Sequence, residues 1–211
     1  MGCDIHIMTE AKKTINDVEK WVNVDNWRVN SYYGTDEYET REYTLEPVYS
    51  ERNYELFSFL ADVRNYGSNQ SFGFDRGLPD DVSKHTKEES DDLGCDGHTH
   101  GYCTLEELKA AIKRVATVRR EGAVSKEEAE RYRLTGETPT SWAQGVGTWK
   151  GIAPKYLDRF EWLVWEDEVH CFDRLIEAIE ERKRDIFWIF DAAKDDFTRD
   201  KDIRIVFWFD N

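Results

Sequence analysis

The sequence lacks a run of 18 apolar residues, and its N-terminus lacks the basic and long apolar segments of a secretory signal. A helix that crosses a membrane needs about 20 mostly apolar residues, so no membrane span is predicted. Cysteine is also scarce, with four in 211 residues. Without a secretory signal these cysteines are expected to be reduced thiols. We therefore predict a cytoplasmic protein with no membrane partner.

Common nucleotide-binding signatures are absent as well. The chain contains neither the phosphate-binding G-x-x-x-x-G-K-[ST] pattern nor the dinucleotide-binding G-x-G-x-x-G pattern. Both patterns use glycines to bring backbone amides close to phosphate groups. Their absence argues against a P-loop nucleoside triphosphatase and against a Rossmann enzyme.

Positive charge is in short supply. Lys and Arg number 29 against 44 Asp and Glu, which leaves a formal net charge of -15. A surface of this sign repels phosphate backbones and anionic membranes, so non-specific binding of duplex nucleic acid is not expected. A small anionic ligand held by local arginines remains compatible with this charge, and so does a basic partner protein that the acidic surface occupies.

The residues that are abundant indicate a folded chain. Aromatic residues make up 14% of the sequence, and 211 residues can enclose a sizeable core. The fold class we predict is α+β, with a mostly antiparallel sheet that includes the N- and C-terminal strands, is covered by helices and carries a long site-building loop. We expect a single domain over residues 1–211 with a helical excursion at 121–165.

Periodicity predicts the individual elements. Alternating apolar residues indicate strands over 2–10 and 21–29, joined by a loose charged loop, and a run of β-branched and aromatic residues indicates a buried strand over 203–211. Helical spacing and capping residues indicate helices over 53–65, 104–120 and 155–193, together with a short charged helix that begins at Ser125. Residues 67–102 are expected to form one long loop.

The first candidate site lies in the N-terminal strand. Asp4 and His6 are two positions apart, with Ile5 between them and Ile7 after them. Alternation along a strand directs Asp4 and His6 to one face. Carboxylate and imidazole are common ligands of divalent metals, so this pair is a candidate metal site. The alternative is that Asp4 caps a turn and His6 is a satisfied core or edge histidine.

The second candidate site is a glycine-flanked histidine pair. His98 and His100 have the same spacing, Gly97 and Gly101 flank them, and Asp96 precedes them. In an extended segment both rings converge on one metal ion. Asp96 offers a further carboxylate, either as a catalytic group or as an acceptor of a hydrogen bond from a histidine ring N–H. The alternative is an exposed polar turn. We expect these histidines to meet Asp4 and His6 in space.

A third segment, Arg76-Gly-Leu-Pro-Asp-Asp81, could contribute to the same site. Arg76 suits a phosphate because its guanidinium donates two parallel hydrogen bonds, and Asp81 suits a general base or a further metal ligand. The alternative is a surface turn.

Six segments are distinctive when taken together. They are MGCDIH at 1–6, RNY at 52–54, RGLPDDVS at 76–83, DGHTH at 96–100, TLEEL at 104–108 and VFWFDN at 206–211. Together they resemble a family of proteins encoded by bacteriophages and prophages. The resemblance implies a phage-borne protein of the host cytoplasm and carries no activity with it. Over three residues, Asp4-Ile5-His6 also resembles the opening D-x-H of calcineurin-like metallophosphoesterases, which implies a metal at Asp4 and His6.

The function predicted from the sequence is that of a metal-dependent hydrolase, most simply a phosphodiesterase of a nucleotide or small nucleic acid in counter-defence. A divalent ion (Zn, Mn or Mg) is the expected cofactor, with Asp4, His6, His98 and His100 as ligands and with Arg76, Asp81 and Asp96 as catalytic residues. A homo-oligomer is also compatible with the sequence. The alternative is a non-catalytic protein that sequesters a nucleotide signal or blocks a host protein through its acidic surface.

Overall fold

The computed structural model of the protein describes residues 2–35, 41–115, 117–143, 151–186, 188 and 198–210. Within this part the chain divides into two compact units. The first comprises Met1–Arg114 with Cys171–Asn211, and the second comprises Val115–His170. The fold is α+β, as predicted, and its largest sheet is antiparallel and includes both terminal strands.

The described residues form eight strands and five α-helices. The strands are β1 (Asp4–Ile15), β2 (Val18–Asn23), β3 (Asn26–Val29), β4 (Tyr43–Glu46), β5 (His98–Thr104), β6 (Thr117–Ser125), β7 (Phe160–Glu168) and β8 (Ile203–Asp210). The helices are α1 (Tyr54–Ala61), α2 (Lys84–Asp92), α3 (Leu105–Ile112), α4 (Lys126–Thr135) and α5 (Asp173–Ile186).

The C-terminal strand is central to the first unit. Its four-stranded sheet has the order β2-β1-β8-β5, and each neighbouring pair is antiparallel. Strands β1 and β8 pair from Asp4 opposite Asp210 to Ala11 opposite Ile203. Because β8 has a neighbour on both sides and contacts on both faces, seven of its eight residues are buried. This explains why its sequence is an almost continuous apolar run.

One face of this sheet forms the aromatic core. Ile5 and Ile7 of β1 lie opposite Phe209 and Phe207 of β8, and all four are buried. Phe57 of α1 packs edge-on against Phe209 with ring centroids 5.2 Å apart. A buried aromatic side chain contributes about 1.5–3 kcal/mol through burial alone, so this face anchors α1 to the sheet.

The opposite face has an apolar centre with charged groups at both ends. Met8, Val206 and Trp208 form its buried centre. At one end, Arg204 is ion-paired with Glu10, and the exposed fractions of these side chains are 4% and 0%. At the other end, alternation brings His6 and Asp210 onto the same face. This second end contains the candidate site.

The turn between β1 and β2 differs from the predicted loose loop. Both strands extend further than expected and leave a two-residue turn at Asn16 and Asp17, whose φ angles are 52° and 64°. Positive φ at both positions matches the right-handed twist of a hairpin, and Asn and Asp adopt it more readily than most residues. Residues 12–20 are therefore a tight hairpin.

Local capping signals are confirmed. The side chain of Asn53 accepts hydrogen bonds from the backbone amides of Glu55 and Leu56 at the start of α1. The side chains of Thr104 and Glu107 form the reciprocal capping box that opens α3. Both helices end earlier than predicted, at Ala61 and Ile112.

Three longer predictions are wrong in part. The predicted loop over 67–102 contains α2 and most of β5. Residues 117–120, predicted as the end of a helix, begin β6. The predicted helix over 155–193 contains β7 before α5 begins at Asp173. Its extension beyond Ile186 falls almost entirely outside the described residues.

The second unit is built on a two-stranded antiparallel sheet. Strands β6 and β7 pair from Thr117 opposite Glu168 to Ser125 opposite Phe160, and α4 follows β6. Its core contains Val124, Ala129, Leu163 and Trp165. The segment predicted as a helical excursion, 121–165, thus contains parts of two strands and one α-helix in its described part.

Asp25 is a buried carboxylate that ties three segments of the first unit together. It is 1% exposed and accepts hydrogen bonds from the backbone amides of Thr9 and Val48 and from the side chain of Asn23. Burial raises the pKa of Asp25 from 3.8 to about 6, although these hydrogen bonds act in the opposite direction.

This pKa predicts a pH-dependent stability. A raised pKa favours the protonated form in the fold, so this stabilisation is complete below pH 3.8 and is lost as the pH rises through about 6. The free energy of unfolding of wild type minus that of Asp25→Asn is expected to fall by about 2 kcal/mol from pH 4 to pH 7. Urea titrations of both proteins at each pH measure it. A constant difference would contradict the pKa.

No helix within the described ranges is both long enough and apolar enough to cross a membrane.

Candidate functional site

His6 and Asp210 form a hydrogen-bonded pair at one end of strands β1 and β8. The Nε2 atom of His6 lies 3.2 Å from Oδ2 of Asp210, and the two side chains are 31% and 30% exposed. The backbone amide of Asp4 donates a hydrogen bond to Oδ1 of the same carboxylate at 3.1 Å. Asp210 is therefore oriented from two directions, while the imidazole remains open to solvent on one side.

Asp4 is held by an arginine. Nε of Arg52 donates a hydrogen bond of 2.6 Å to one carboxylate oxygen of Asp4, and Nη2 donates a hydrogen bond of 2.6 Å to the other. The hydrogen bonds from Arg52 lower the pKa of Asp4. The structure brings Asp4 and His6 to the same face of β1, as predicted, but pairs each with a different partner.

The two histidines of β5 do not converge. A register shift lies between His98 and Gly101, where two residues of β5, Thr99 and His100, oppose one residue of β8, and Thr99 has a positive φ of 52°. His98 stacks against Phe209 and His100 against Trp208, with ring centroids 6.1 and 5.9 Å apart. Neighbouring residues of β8 point to opposite faces, so the bulge directs the two rings to different faces.

Each of these histidines also has a local hydrogen-bond partner. Nε2 of His100 lies 2.9 Å from Oγ of Ser90, and Nδ1 of His98 lies 2.9 Å from Oγ1 of Thr99. Burial lowers the pKa of His100, and His98 lowers it further. His100 is therefore favoured as a neutral imidazole in a hydrogen bond with Ser90.

The two predicted clusters share an aromatic neighbour. His6 and His100 stack on the indole of Trp208, at centroid distances of 5.8 and 5.9 Å. Trp208 is fully buried and lies on β8 between their strands. Residues 4–6 and 98–100 thus lie on strands that flank β8 in one sheet, and a tryptophan separates His6 from His100.

Arg76 lies away from this end of the sheet. Its Nη2 atom donates hydrogen bonds of 2.9 Å to both carboxylate oxygens of Glu107, and its guanidinium lies 4.3 Å from the ring centre of Tyr102. Tyr102 pairs with Val206, four residues from Asp210 or about 13 Å along the strand. The structure therefore does not bring Arg76 together with His6, and its contacts support the start of α3.

Asp81 lies further away still. Its Oδ1 atom accepts a hydrogen bond of 2.7 Å from Arg204, which is six residues or about 20 Å along β8 from Asp210. Asp96 is exposed in a short 3-10 turn before β5. The predicted grouping of Arg76, Asp81 and Asp96 with Asp4 and His6 is not formed as a whole. Asp81 contacts Arg204 near one end of β8, whereas Asp4 and His6 lie opposite the other end of this strand.

The sequence-based prediction did not include two contributors to this end of the sheet. Asp210 was not assigned to the site, although antiparallel pairing of the two terminal strands places it opposite Asp4. Arg52 belongs to the RNY segment at 52–54, but no role in the site was predicted for it. The ion pair of Arg52 with Asp4 is visible only in the three-dimensional structure, where the segment before α1 contacts β1.

An open cavity of about 310 Å³ lies in the second unit and contains none of the predicted site residues. It is lined by Thr117, Gly136, Thr138, Glu166, Asp167, Glu168 and His170. Its acidic lining is unsuited to a phosphorylated ligand. The candidate functional site is the end of the sheet that contains His6 and Asp210.

Comparison with known proteins adds no family assignment. Neither a protein-family model nor a curated protein nor a solved structure matches this chain significantly. The site geometry therefore carries the functional interpretation.

Proposed function

We propose that the protein is a metal-dependent hydrolase of a nucleotide or another small phosphorylated ligand, with His6 and Asp210 at its reaction centre. The observation that carries this proposal is the 3.2 Å separation of His6 Nε2 and Asp210 Oδ2 at a partly open end of the sheet. It replaces the predicted four-residue ligand set, because His98 and His100 are directed to different faces.

The His6–Asp210 separation fits two adjacent ligands of one metal ion. Bonds of about 2.0–2.1 Å from a tetrahedral ion place neighbouring ligand atoms about 3.3 Å apart. The amide of Asp4 supports Asp210 through its second oxygen, as ligating carboxylates are commonly supported. A divalent ion at this position would polarise a phosphoryl oxygen and lower the pKa of a bound water.

The protein groups around this pair have separate tasks. Without a metal ion, Asp210 orients the imidazole of His6 through Nε2; with an ion bound, its negative charge would balance the cation. Trp208 fixes the ring of His6 by stacking on it at an interplanar angle of 7°. Both effects hold His6 in one orientation, which favours a reaction that needs a fixed geometry.

A hydrolysis assay tests this function. The chain is stripped of metal, desalted and tested against bis-p-nitrophenyl phosphate and against linear and cyclic dinucleotides, with Mn²⁺, Zn²⁺ or Mg²⁺ added singly. We expect turnover that depends on the added ion. His6→Ala should be inactive, whereas His85→Ala, which changes an exposed histidine of α2, should be fully active. Absence of turnover with every ion and substrate would contradict the proposal.

One observation favours a second candidate function, sequestration of a nucleotide without catalysis. In the described part of the chain, no group of three or more His, Cys, Asp or Glu side chains is arranged to hold a metal ion. A binding protein needs no such group. Tight binding of a dinucleotide to both wild type and His6→Ala, without turnover, would support this second candidate.

A further inference from the structure

A second arginine approaches the same end of the sheet as Arg52. Nη2 of Arg64 lies 3.4 Å from the carbonyl oxygen of Gly2, and its guanidinium also interacts with the thiol of Cys3. Arg52 reaches the same short segment through Asp4. Two guanidiniums therefore converge on residues 2–4 in a protein whose net charge is -15.

The local backbone is adapted to this convergence. A Cβ atom on Gly2 would lie 2.8 Å from Nη1 of Arg52, so any larger residue there would displace the guanidinium. Arg64 has a positive φ of 51°, a conformation that costs a non-glycine residue about 1–2 kcal/mol. Such strain persists only where surrounding contacts enforce it, and it is concentrated at functional sites.

The contact between Arg52 and Asp4 is open to exchange. Their side chains are 50% and 51% exposed, and an exposed ion pair adds little to stability. The planar fork of an arginine that holds a carboxylate by two parallel hydrogen bonds also fits two oxygens of a phosphate. Asp4 therefore occupies the position that a phosphoryl oxygen pair would take on Arg52.

We propose that Arg52 and Arg64 form an anion clamp for a phosphoryl group, and that Asp4 occupies Arg52 until this group displaces it. The amide of Asp4 binds Asp210, so a phosphoryl group on Arg52 lies next to the His6–Asp210 pair. This inference rests on the proposed function, because it assigns the ligand's charged group to residues beside the reaction centre. It also makes Asp4 a competitor of the ligand and not a ligand of the metal.

Titration calorimetry with inorganic phosphate, on metal-free protein in a buffer without other multivalent anions, tests the clamp. Asp4→Asn is expected to bind phosphate about fivefold to tenfold more tightly than wild type, because it frees Arg52. Adding Arg52→Lys to Asp4→Asn should remove this gain, since lysine keeps the charge but loses the fork. Arg64→Gln in the same background should weaken binding as well.

The matched control is Arg28→Gln in the Asp4→Asn background. Arg28 is an exposed arginine ion-paired with Glu46 in the β3–β4 pair, so its loss should leave phosphate affinity unchanged. Circular dichroism checks that each variant is folded. If Arg64→Gln does not fold, the Arg52→Lys result alone decides. Equal or weaker binding by Asp4→Asn, or no binding by either protein at about 10 mM phosphate, would overturn the clamp.

Failure of the clamp and failure of the hydrolase proposal give different results. Turnover that depends on His6 but not on Arg52 or Arg64 would reject the clamp and leave the reaction centre intact. Phosphate binding with the predicted variant pattern, but without turnover of any substrate, would reject catalysis and leave the clamp as a binding site.

Discussion

Replacing Glu10 by glutamine is expected to lower the free energy of unfolding by about 3–5 kcal/mol, because it leaves Arg204 without its buried counterion. Glu10 is fully buried and accepts hydrogen bonds of 2.8 Å from Nε of Arg204 and from the backbone amide of Ser83. Arg204 also lies 4.1 Å from the ring centre of Trp21. Urea denaturation at neutral pH measures the loss.

Two variants control for this effect. Asp81→Asn also removes a carboxylate from Arg204, but the side chain of Asp81 is 66% exposed, so a loss of about 1 kcal/mol or less is expected. The double variant Glu10→Met with Arg204→Met removes both buried charges and should recover most of the stability, because well-packed apolar residues often replace a buried ion pair without loss. Equal losses from Glu10→Gln and Asp81→Asn would contradict this ion-pair network.

Replacing Asp210 by asparagine is expected to lower the rate of the proposed phosphodiester hydrolysis by at least about 10–100-fold, the range typical for loss of a carboxylate that supports a metal site. Asparagine keeps the size of the side chain and can still accept the hydrogen bond from the amide of Asp4. It loses the negative charge opposite His6, which is 3.2 Å away. The measurement is kcat and KM with bis-p-nitrophenyl phosphate at a saturating concentration of the activating ion.

Asp200→Asn is the matched control for Asp210→Asn. Asp200 is also a half-buried carboxylate of the first unit, but it is paired with Lys109 and Lys183, on α3 and α5. Its change should leave kcat within about twofold of wild type, a difference below 0.5 kcal/mol in activation free energy. If Asp210→Asn retained full activity, Asp210 would have no part in the reaction centre.

The parts of the fold that local patterns determine were predicted well. The apolar run of β8, the alternation of β1 and the capping box at Thr104 each depend on neighbouring residues, and each is confirmed. The helix α2 was missed because its residues are polar and only Thr86 and Ser90 of them are buried. It has no apolar stripe from which a helical period could be recognised.

The second unit was mispredicted for a related reason. Strand β7 has buried residues at alternate positions, Leu163 and Trp165, which is the period of a strand. Its aromatic and charged residues merge in the sequence with the amphipathic pattern of α5, so the segment suggested one long helix. Strand β6 comes shortly after the helix that begins at the capping box of Thr104, and its first residues were therefore predicted as the end of that helix.

The candidate site was predicted in its first half only. Alternation correctly directed Asp4 and His6 to one face, and pairing of the terminal strands brought Asp210 to them. The assumption that the same alternation holds between His98 and His100 fails, because one extra residue at the bulge near Thr99 changes the direction of the side chains. The sequence alone does not reveal such a bulge.

The most direct test of the reaction centre is a Zn²⁺ titration followed by NMR of the histidine ring nitrogens. Of the five histidines, His6 is predicted to shift with stoichiometric Zn²⁺, and Asp210→Asn should weaken its response. His85, an exposed histidine of α2, and His170, an exposed histidine of the second unit, should not change at that ratio. Joint shifts of His98 and His100 without a response from His6 would contradict the proposed centre.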